Sequence, residues 1–424
     1  MDYFRIEGGT RLRGSVRING SKNAALPIMA ACILVQGEVV LRDVPDLADI
    51  RLMTKLLERL GLKVWREEGT GDMHLMVQDE ACTHAEYELV RQMRGSICVM
   101  GPLLAKRQQA RVSMPGGCAI GDRPIDLHIL GMAGLGARVE LVSGDVLLKA
   151  EQGLRGSELF LAGPFGSTVL GTANVMMAAT LAAGTTVIES AACEPEVVDL
   201  ADFLNACGAK ISGAGTHRII IEGVEELHGC EYSVIPDRIE AGTFMLAAAI
   251  SNGEIELQNC RLNDMLAVVD RLRRTGVNIE KGEDHTCVVS SSRRLEPTPI
   301  VTLPYPGFPT DLQAQMMALL CLADGNSMVT ERIFPDRFMH VGELNRMGAR
   351  LHREGPTVIV EGVKKLVGAP VMASDLRASA ALVLAGLVAE GTTLVSRVYH
   401  IDRGYEQIEQ KLSALGAKIQ RCQE

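Results

Sequence analysis

Cys118 stands in the run Pro115-Gly116-Gly117-Cys118-Ala119-Ile120-Gly121-Asp122-Arg123-Pro124. Three glycines and two prolines within ten residues exclude regular structure and predict an exposed, hinged loop. A thiol carried there, with Arg123 five residues on, has its thiolate favoured; spacing alone leaves reactive chemistry and an inert loop cysteine equally open. Arg123 adds a guanidinium able to hold a phosphate or carboxylate in bidentate fashion. Upstream, Ser21-Lys22-Asn23-Ala24-Ala25-Leu26-Pro27 reads as the start of an alanine-rich helix. That places a cap residue and a lysine where free N–H groups and the dipole favour an anion. An ordinary helix start with an exposed lysine is the preferred reading of that stretch by itself, and Pro27 fits only near the first turn. Phe308-Pro309-Thr310-Asp311 leads into a helix expected over 312–322, for which capping is the plain role of Asp311. Arg337, Arg377 and Arg403 stand at expected structural transitions, each with an acidic residue within two positions. A surface salt bridge explains any one of them, whereas their recurrence at similar points of the chain suggests a shared cleft.

The elements that must position these residues repeat. A helical stretch with leucines, a glycine and a short β-branched strand recurs six times, at Gly61, Gly136, Gly208, Gly276, Gly348 and Gly416, spaced 68–75 residues apart. Each glycine is placed where a helix end needs a left-handed residue before the chain turns into a strand. A second glycine marker (Gly37, Gly184, Gly253, Gly325, Gly391) follows an apolar helix in five units, and the second unit has Gln108-Gln109-Ala110 in its place. Each unit of about 70 residues reads as strand, apolar helix, strand, amphipathic helix and strand, which buries little alone and much when three pack together. The pattern predicts an α/β chain of two three-unit domains joined near residues 229–237, with a ligand site between the halves.

At 424 residues the chain exceeds what one core usually supports, in agreement with two domains. A net charge of −9 argues against nucleic-acid or anionic-membrane partners, while leaving room for a small anionic ligand held by local arginines. No apolar run approaches the roughly 18 residues of a membrane span, and the N-terminus lacks a signal peptide's apolar segment, so a cytoplasmic chain is expected. Eleven cysteines, scattered and without a Cys-x-x-Cys pair, predict neither disulfides nor zinc. Walker A, Gly-x-Gly-x-x-Gly, His-Glu-x-x-His and Gly-x-Ser-x-Gly patterns are missing, and neither a cofactor nor a metal is expected.

These motifs, together with Pro236-Asp237-Arg238-Ile239-Glu240, Arg337-Phe338-Met339-His340, Asp375-Leu376-Arg377-Ala378-Ser379 and His400-Ile401-Asp402-Arg403-Gly404-Tyr405-Glu406, closely resemble the UDP-N-acetylglucosamine 1-carboxyvinyltransferase family over essentially the whole chain. The resemblance implies a two-domain inside-out α/β barrel built from six repeats, three per domain. One domain would span residues 22–235, and the other would combine 1–21 with 236–424. It implies transfer of the enolpyruvyl group of phosphoenolpyruvate to the 3-hydroxyl of UDP-N-acetylglucosamine, in peptidoglycan synthesis, with no obligate protein partner. Lys22, Arg123 and Arg403 would neutralise the phosphate and carboxylate, with Arg94, Arg337 and Arg377 completing the positive site. Asp311 would act as base, and Cys118 as the acid able to add to phosphoenolpyruvate and as the target of the epoxide fosfomycin. Asn23, Arg123, Pro124, Ile125, Asp126, Leu127, Ile333, Thr168, Val169 and Asp375 would help to hold the substrates.

One segment departs from the family pattern. A Ser-Val-Gly-Ala-Thr-Glu-Asn run usually opens the diphosphate-binding helix, whereas here Thr168-Val169-Leu170-Gly171-Thr172-Ala173-Asn174 stands in its place. Leu170 thus replaces a glycine and Ala173 a glutamate. Two alternatives are a transferase acting on shikimate 3-phosphate, and an inactive UDP-sugar-binding paralogue. Cys118 and Lys22-Asn23-Ala24-Ala25 speak against the first; retention of Cys118, Asp311 and the arginines speaks against the second.

Overall fold

The computed structural model describes residues 2–114, 124–164, 166–292 and 294–423. Cys118 and Arg123 therefore lie outside the described residues. The described chain divides into two compact units, one running from Gly20 to Ile235 and the other joining the chain up to Asn19 with the chain from Pro236 onward. Each has its own hydrophobic core.

The Gly20–Ile235 unit holds three four-stranded sheets. Their orders are Glu231–Ser233, Glu38–Arg42, Met73–Val77, Leu62–Arg66; His84–Ala85, Gln109–Ser113, Asp145–Lys149, Arg138–Val142; and Glu158–Phe160, Thr185–Glu189, Arg218–Glu222, Lys210–Ser212. In each the first pair is parallel and the other two pairs are antiparallel. The other unit repeats this pairing in three sheets centred on Glu254–Gln258, Asn326–Thr330 and Thr392–Ser396. All six sheets are open. Alternation seats them: in Glu38–Arg42 the apolar Val39 and Leu41 point inward, as a period of two requires.

Some strands come from far along the chain. Arg13–Arg17 supplies the parallel edge beside Glu254–Gln258, and Asp2–Glu7 lies antiparallel between Thr392–Ser396 and Lys418–Gln423. A unit read as a continuous stretch of sequence cannot anticipate such strands.

Two kinds of helix serve these sheets. Arg238–Ile250 buries every residue after Arg238, Gln313–Leu320 buries all of its residues, and Leu376–Val388 buries Arg377 through Leu387. These three pack on one another, and their Ala, Ser and Thr content lets apolar helices come close. Lys22–Ala31 and Val169–Ala179 are the equally apolar helices of the other unit. By contrast, Ala48–Arg59 and Leu266–Arg274 are amphipathic.

The six helix-end glycines all adopt φ between 87° and 104°. In the second unit, where the second glycine marker is missing, Gln108 takes φ 57° and makes the turn. At the third marker the left-handed residue is Asn252 (φ 49°) rather than Gly253. Gly253 is required for space instead, since a Cβ there would meet the Leu12 carbonyl oxygen at 2.3 Å.

Candidate active site

Ser21 caps the Lys22–Ala31 helix by accepting a hydrogen bond from the Ala24 N–H. The lysine beside it is not the exposed one favoured on sequence grounds: Lys22 is 7% exposed, and its Nζ lies 3.1 Å from Asp49 at the start of the next helix. Pro27 is likewise not in the first turn but inside the helix. Lacking an N–H, it cannot take up the Asn23 carbonyl four residues back, so the turn beside Lys22 loses one backbone bond. Asn23 is half-buried.

In the same unit Arg94 opens the turn Arg94–Val99, and its Nη2 lies 3.5 Å from the Pro124 carbonyl. Pro124 is exposed and Ile125 buried; Asp126 is exposed and Leu127 half-buried at the start of the helix Asp126–Gly134. Thr168 caps Val169–Ala179 through the Gly171 N–H at 3.2 Å, and Val169 is exposed. Leu170 packs against the core and Ala173 is 2% exposed, so apolar packing occupies the two altered positions.

Asn174 and His128 were not singled out from sequence. Asn174 is fully buried; its Nδ2 donates to the Ile97 carbonyl and to His128 Nδ1, and its Oδ1 accepts from the Gly101 N–H, at 2.8–2.9 Å. One amide thus ties the Arg94 turn to the Asp126 and Thr168 helices. Burial, with the nearby Arg94 charge, pushes the His128 pKa down to about 4, so the ring is neutral and its Nδ1 accepts. The available signal was an amide side chain inside a largely apolar helix.

In the other unit, Asp311 departs from its expected capping role. It lies in the turn Thr310–Leu312, ahead of Gln313–Leu320, and the helix starts without a side-chain cap. Its Oδ1 accepts from Arg337 Nη1 at 2.8 Å, and its Oδ2 from Arg377 Nε and Nη2 at 3.2 and 3.1 Å. Neither arginine makes the surface pair its sequence neighbours suggested: Arg337 is 7% and Arg377 2% exposed. Their neighbouring acids are engaged elsewhere. Asp336 pairs with Arg353 at 2.7 Å, and Asp375 caps Leu376–Val388 through the Arg377 and Ala378 N–H groups. Asp402, next to the half-buried Arg403, is held by Arg421, which also reaches Glu409 and Asp2.

Charge and polarity concentrate around Asp311. Burial works against the Arg377 charge, but Tyr405, Asp311 and Asp237 together raise its pKa above the ordinary value. The buried Tyr405 hydroxyl meets Thr243 Oγ1 at 2.9 Å and Gln315 Nε2 at 3.2 Å, and the same Nε2 donates to the Asp311 carbonyl at 2.9 Å. Arg377 Nη1, Gln313 Oε1, Gln315 Oε1, Ser374 Oγ and His340 Nε2 are buried without a hydrogen-bond partner among the described residues. Ile333 is half-buried, with its N–H bonded to Glu331. The structure therefore brings Asp311, Arg337 and Arg377 together in one unit, and sets Lys22 against Asp49 in the other. Arg337 and Arg377 can bind an anion, and the Asp311 carboxylate between them can take up a proton.

Among the described residues no helix is long and apolar enough to cross a membrane. Residues 6–412 match the EPSP synthase (3-phosphoshikimate 1-carboxyvinyltransferase) family. The chain is 56% identical over 422 residues to a UDP-N-acetylglucosamine 1-carboxyvinyltransferase of Methylacidiphilum infernorum, with 99% of both chains covered. It is 52% identical to the protein of the same name from Akkermansia muciniphila, again with 99% of both covered. Its fold is similar to that of the enolpyruvyl transferase NikO from Streptomyces tendae, with a TM-score of 0.88, 24% identity and 99% of each chain covered.

Proposed function

The chain belongs to the UDP-N-acetylglucosamine 1-carboxyvinyltransferase family, and from that premise we propose how its residues divide the work of the reaction. It transfers the enolpyruvyl group of phosphoenolpyruvate to the 3-hydroxyl of UDP-N-acetylglucosamine and releases phosphate, the first committed step of peptidoglycan synthesis. Its two partners are these small molecules, and its place is the cytoplasm.

The observation that carries the assignment of roles is one carboxylate clasped by two buried arginines amid buried polar atoms without partners. Buried polar groups in native proteins are nearly always paired, so such a cluster suits a bound polar ligand. Arg337 and Arg377 face a phosphate or carboxylate of phosphoenolpyruvate, and Lys22, Arg94, Arg123 and Arg403 complete its neutralisation. An anion that competes for the two guanidiniums frees Asp311 to accept a proton. Asp311 then takes the proton of the sugar 3-hydroxyl as that oxygen attacks C2. Cys118 delivers a proton to C3, giving a tetrahedral adduct. Loss of a C3 proton and departure of phosphate from C2 restore the double bond as the enol ether. Asn23, Pro124, Ile125, Asp126, Leu127, Thr168, Val169, Ile333 and Asp375 hold the UDP-sugar.

The finer architecture belongs to the same proposal. Six open sheets with one pairing pattern, three beside the buried helices of each unit, support six repeats arranged as an inside-out α/β barrel. The domains would then span 22–235, and 1–21 with 236–424. Phosphate release tests the activity: it is expected with phosphoenolpyruvate and UDP-N-acetylglucosamine and not with phosphoenolpyruvate and shikimate 3-phosphate. Release only with the shikimate acceptor would overturn the substrate assignment, and no release with either would overturn the activity.

A further inference from the structure

Glu331 follows the strand Asn326–Thr330 and is fully buried. Its carboxylate gathers four donors. Oε1 accepts from the Thr302 hydroxyl at 2.6 Å and from the Ile333 and Phe334 N–H groups at 2.8 and 3.0 Å. Oε2 accepts from the Thr310 hydroxyl at 2.8 Å. All four donors are neutral, although taking a carboxylate out of water is costly and a cationic partner is the usual compensation.

The charge sets a direction. A carboxylate can only accept, so Thr310 must donate to it, which leaves the Thr310 oxygen to accept from elsewhere. It accepts from Arg337 Nη1 at 3.0 Å, and that same Nη1 donates to Asp311 Oδ1 at 2.8 Å. Thr310 is also the residue before Asp311 in the turn. We propose that Glu331 is a positioning residue for enolpyruvyl transfer, because its carboxylate orients the Thr310 hydroxyl that aims Arg337 at Asp311 while pinning the Ile333 backbone. This inference rests on reading Asp311 as the base.

Glu331→Gln keeps the size and removes the acceptor-only character. Its amide must turn N–H groups either toward Thr310 or toward the Ile333 and Phe334 N–H groups, and either choice breaks the ordered set. The expected result is a kcat at least tenfold below wild type, together with a raised KM for phosphoenolpyruvate, because Arg337 also faces that substrate. A crystal structure of Glu331→Gln should show Arg337 beyond hydrogen-bond distance of Asp311. Thr310→Val should lower kcat similarly, and Glu331→Gln/Thr310→Val should be no slower than the slower single variant, since both cut the same chain. A Glu331→Gln kcat within twofold of wild type would overturn the inference, even if Tm falls, because a purely structural role predicts that split. Additive losses in the double variant would also overturn it. Asp311→Asn in the same assay separates the two readings: wild-type turnover there removes the base assignment, whereas a slow Asp311→Asn beside a fast Glu331→Gln removes only the positioning role.

Discussion

Neutralising Asp311 should damage both turnover and the resting fold. In Asp311→Asn the side chain still fits between Arg337 and Arg377, but two buried guanidiniums face an amide instead of a carboxylate. Each pair is worth at most about 4 kcal/mol at 4 Å in a medium of effective dielectric near 20. The amide oxygen retains about 1 kcal/mol of hydrogen bonding, and the carboxylate no longer has to be desolvated. Asp311 is also 28% exposed, so water screens part of the loss. The net expectation is roughly 2–3 kcal/mol of lost stability, or a Tm lower by about 4–12 °C for a unit of this size. Inorganic phosphate should restore Tm in the variant more than it raises that of wild type, because the anion replaces the missing charge. Turnover should fall by about 10²–10⁴-fold, the usual contribution of a general base. Phosphate release and scanning calorimetry read the two effects. An unchanged Tm together with a kcat within a few-fold of wild type would show that neither arginine depends on Asp311 and that the base lies elsewhere.

Breaking the Lys22–Asp49 pair by Asp49→Leu should cost about 3–5 kcal/mol, and adding Lys22→Met should return at least half of that in urea melts. Independent, additive losses would mean the pair is not coupled. His128, neutral and held near 4 by burial and Arg94, has a folded-state value below its unfolded value of about 6.5. Its contribution is therefore complete above pH 6.5 and declines as the pH falls toward 4, the loss reaching about 2 kcal/mol at pH 5. His128→Gln should flatten that part of the stability profile, and parallel profiles would refute the assignment. Fosfomycin should leave one adduct, on Cys118, by intact mass and peptide mapping. Burial pushes Cys98 and Cys321 up to about 12, and among the described thiols the half-buried Cys82, Cys230 and Cys422 are those on which stray labelling would appear. Cys118→Asp should stay active and unlabelled, since a carboxylic acid can give a proton but cannot form the thioether; its inactivity would weigh against the acid role.

The α/β architecture was legible because its signals are local. A left-handed residue after a helix calls for glycine, and Gly61, Gly136, Gly208, Gly276, Gly348 and Gly416 all take that conformation. The second marker was less uniform because other residues can bear a positive φ: Gln108 and Asn252 do so here. Strands supplied from a distance, such as Asp2–Glu7 beside Lys418–Gln423, left no trace in a pattern read over 70-residue windows.

The candidate site was legible as residue types and illegible as partnerships. Proximity in sequence pointed each arginine toward its neighbouring acid, but Asp375 faces the free N–H groups of the helix it begins, a stronger local claim than the Arg377 side chain can make. Arg377 projects from the same first turn into the helix core, where an uncompensated cation cannot remain, and the carboxylate that meets it comes from 66 residues away. Asp336 likewise stays at the surface with Arg353, which leaves Arg337 to the same carboxylate. Burial is what redirects both arginines to Asp311, and burial of a charged side chain depends on the packing of three helices that no single stretch of sequence contains. The same reasoning holds for Lys22, whose position in the first turn looked solvent-facing until the next helix brought Asp49 against it. Long-range compensation of buried charge thus gives each buried cation a carboxylate from elsewhere in its own unit, Asp49 for Lys22 and Asp311 for Arg337 and Arg377.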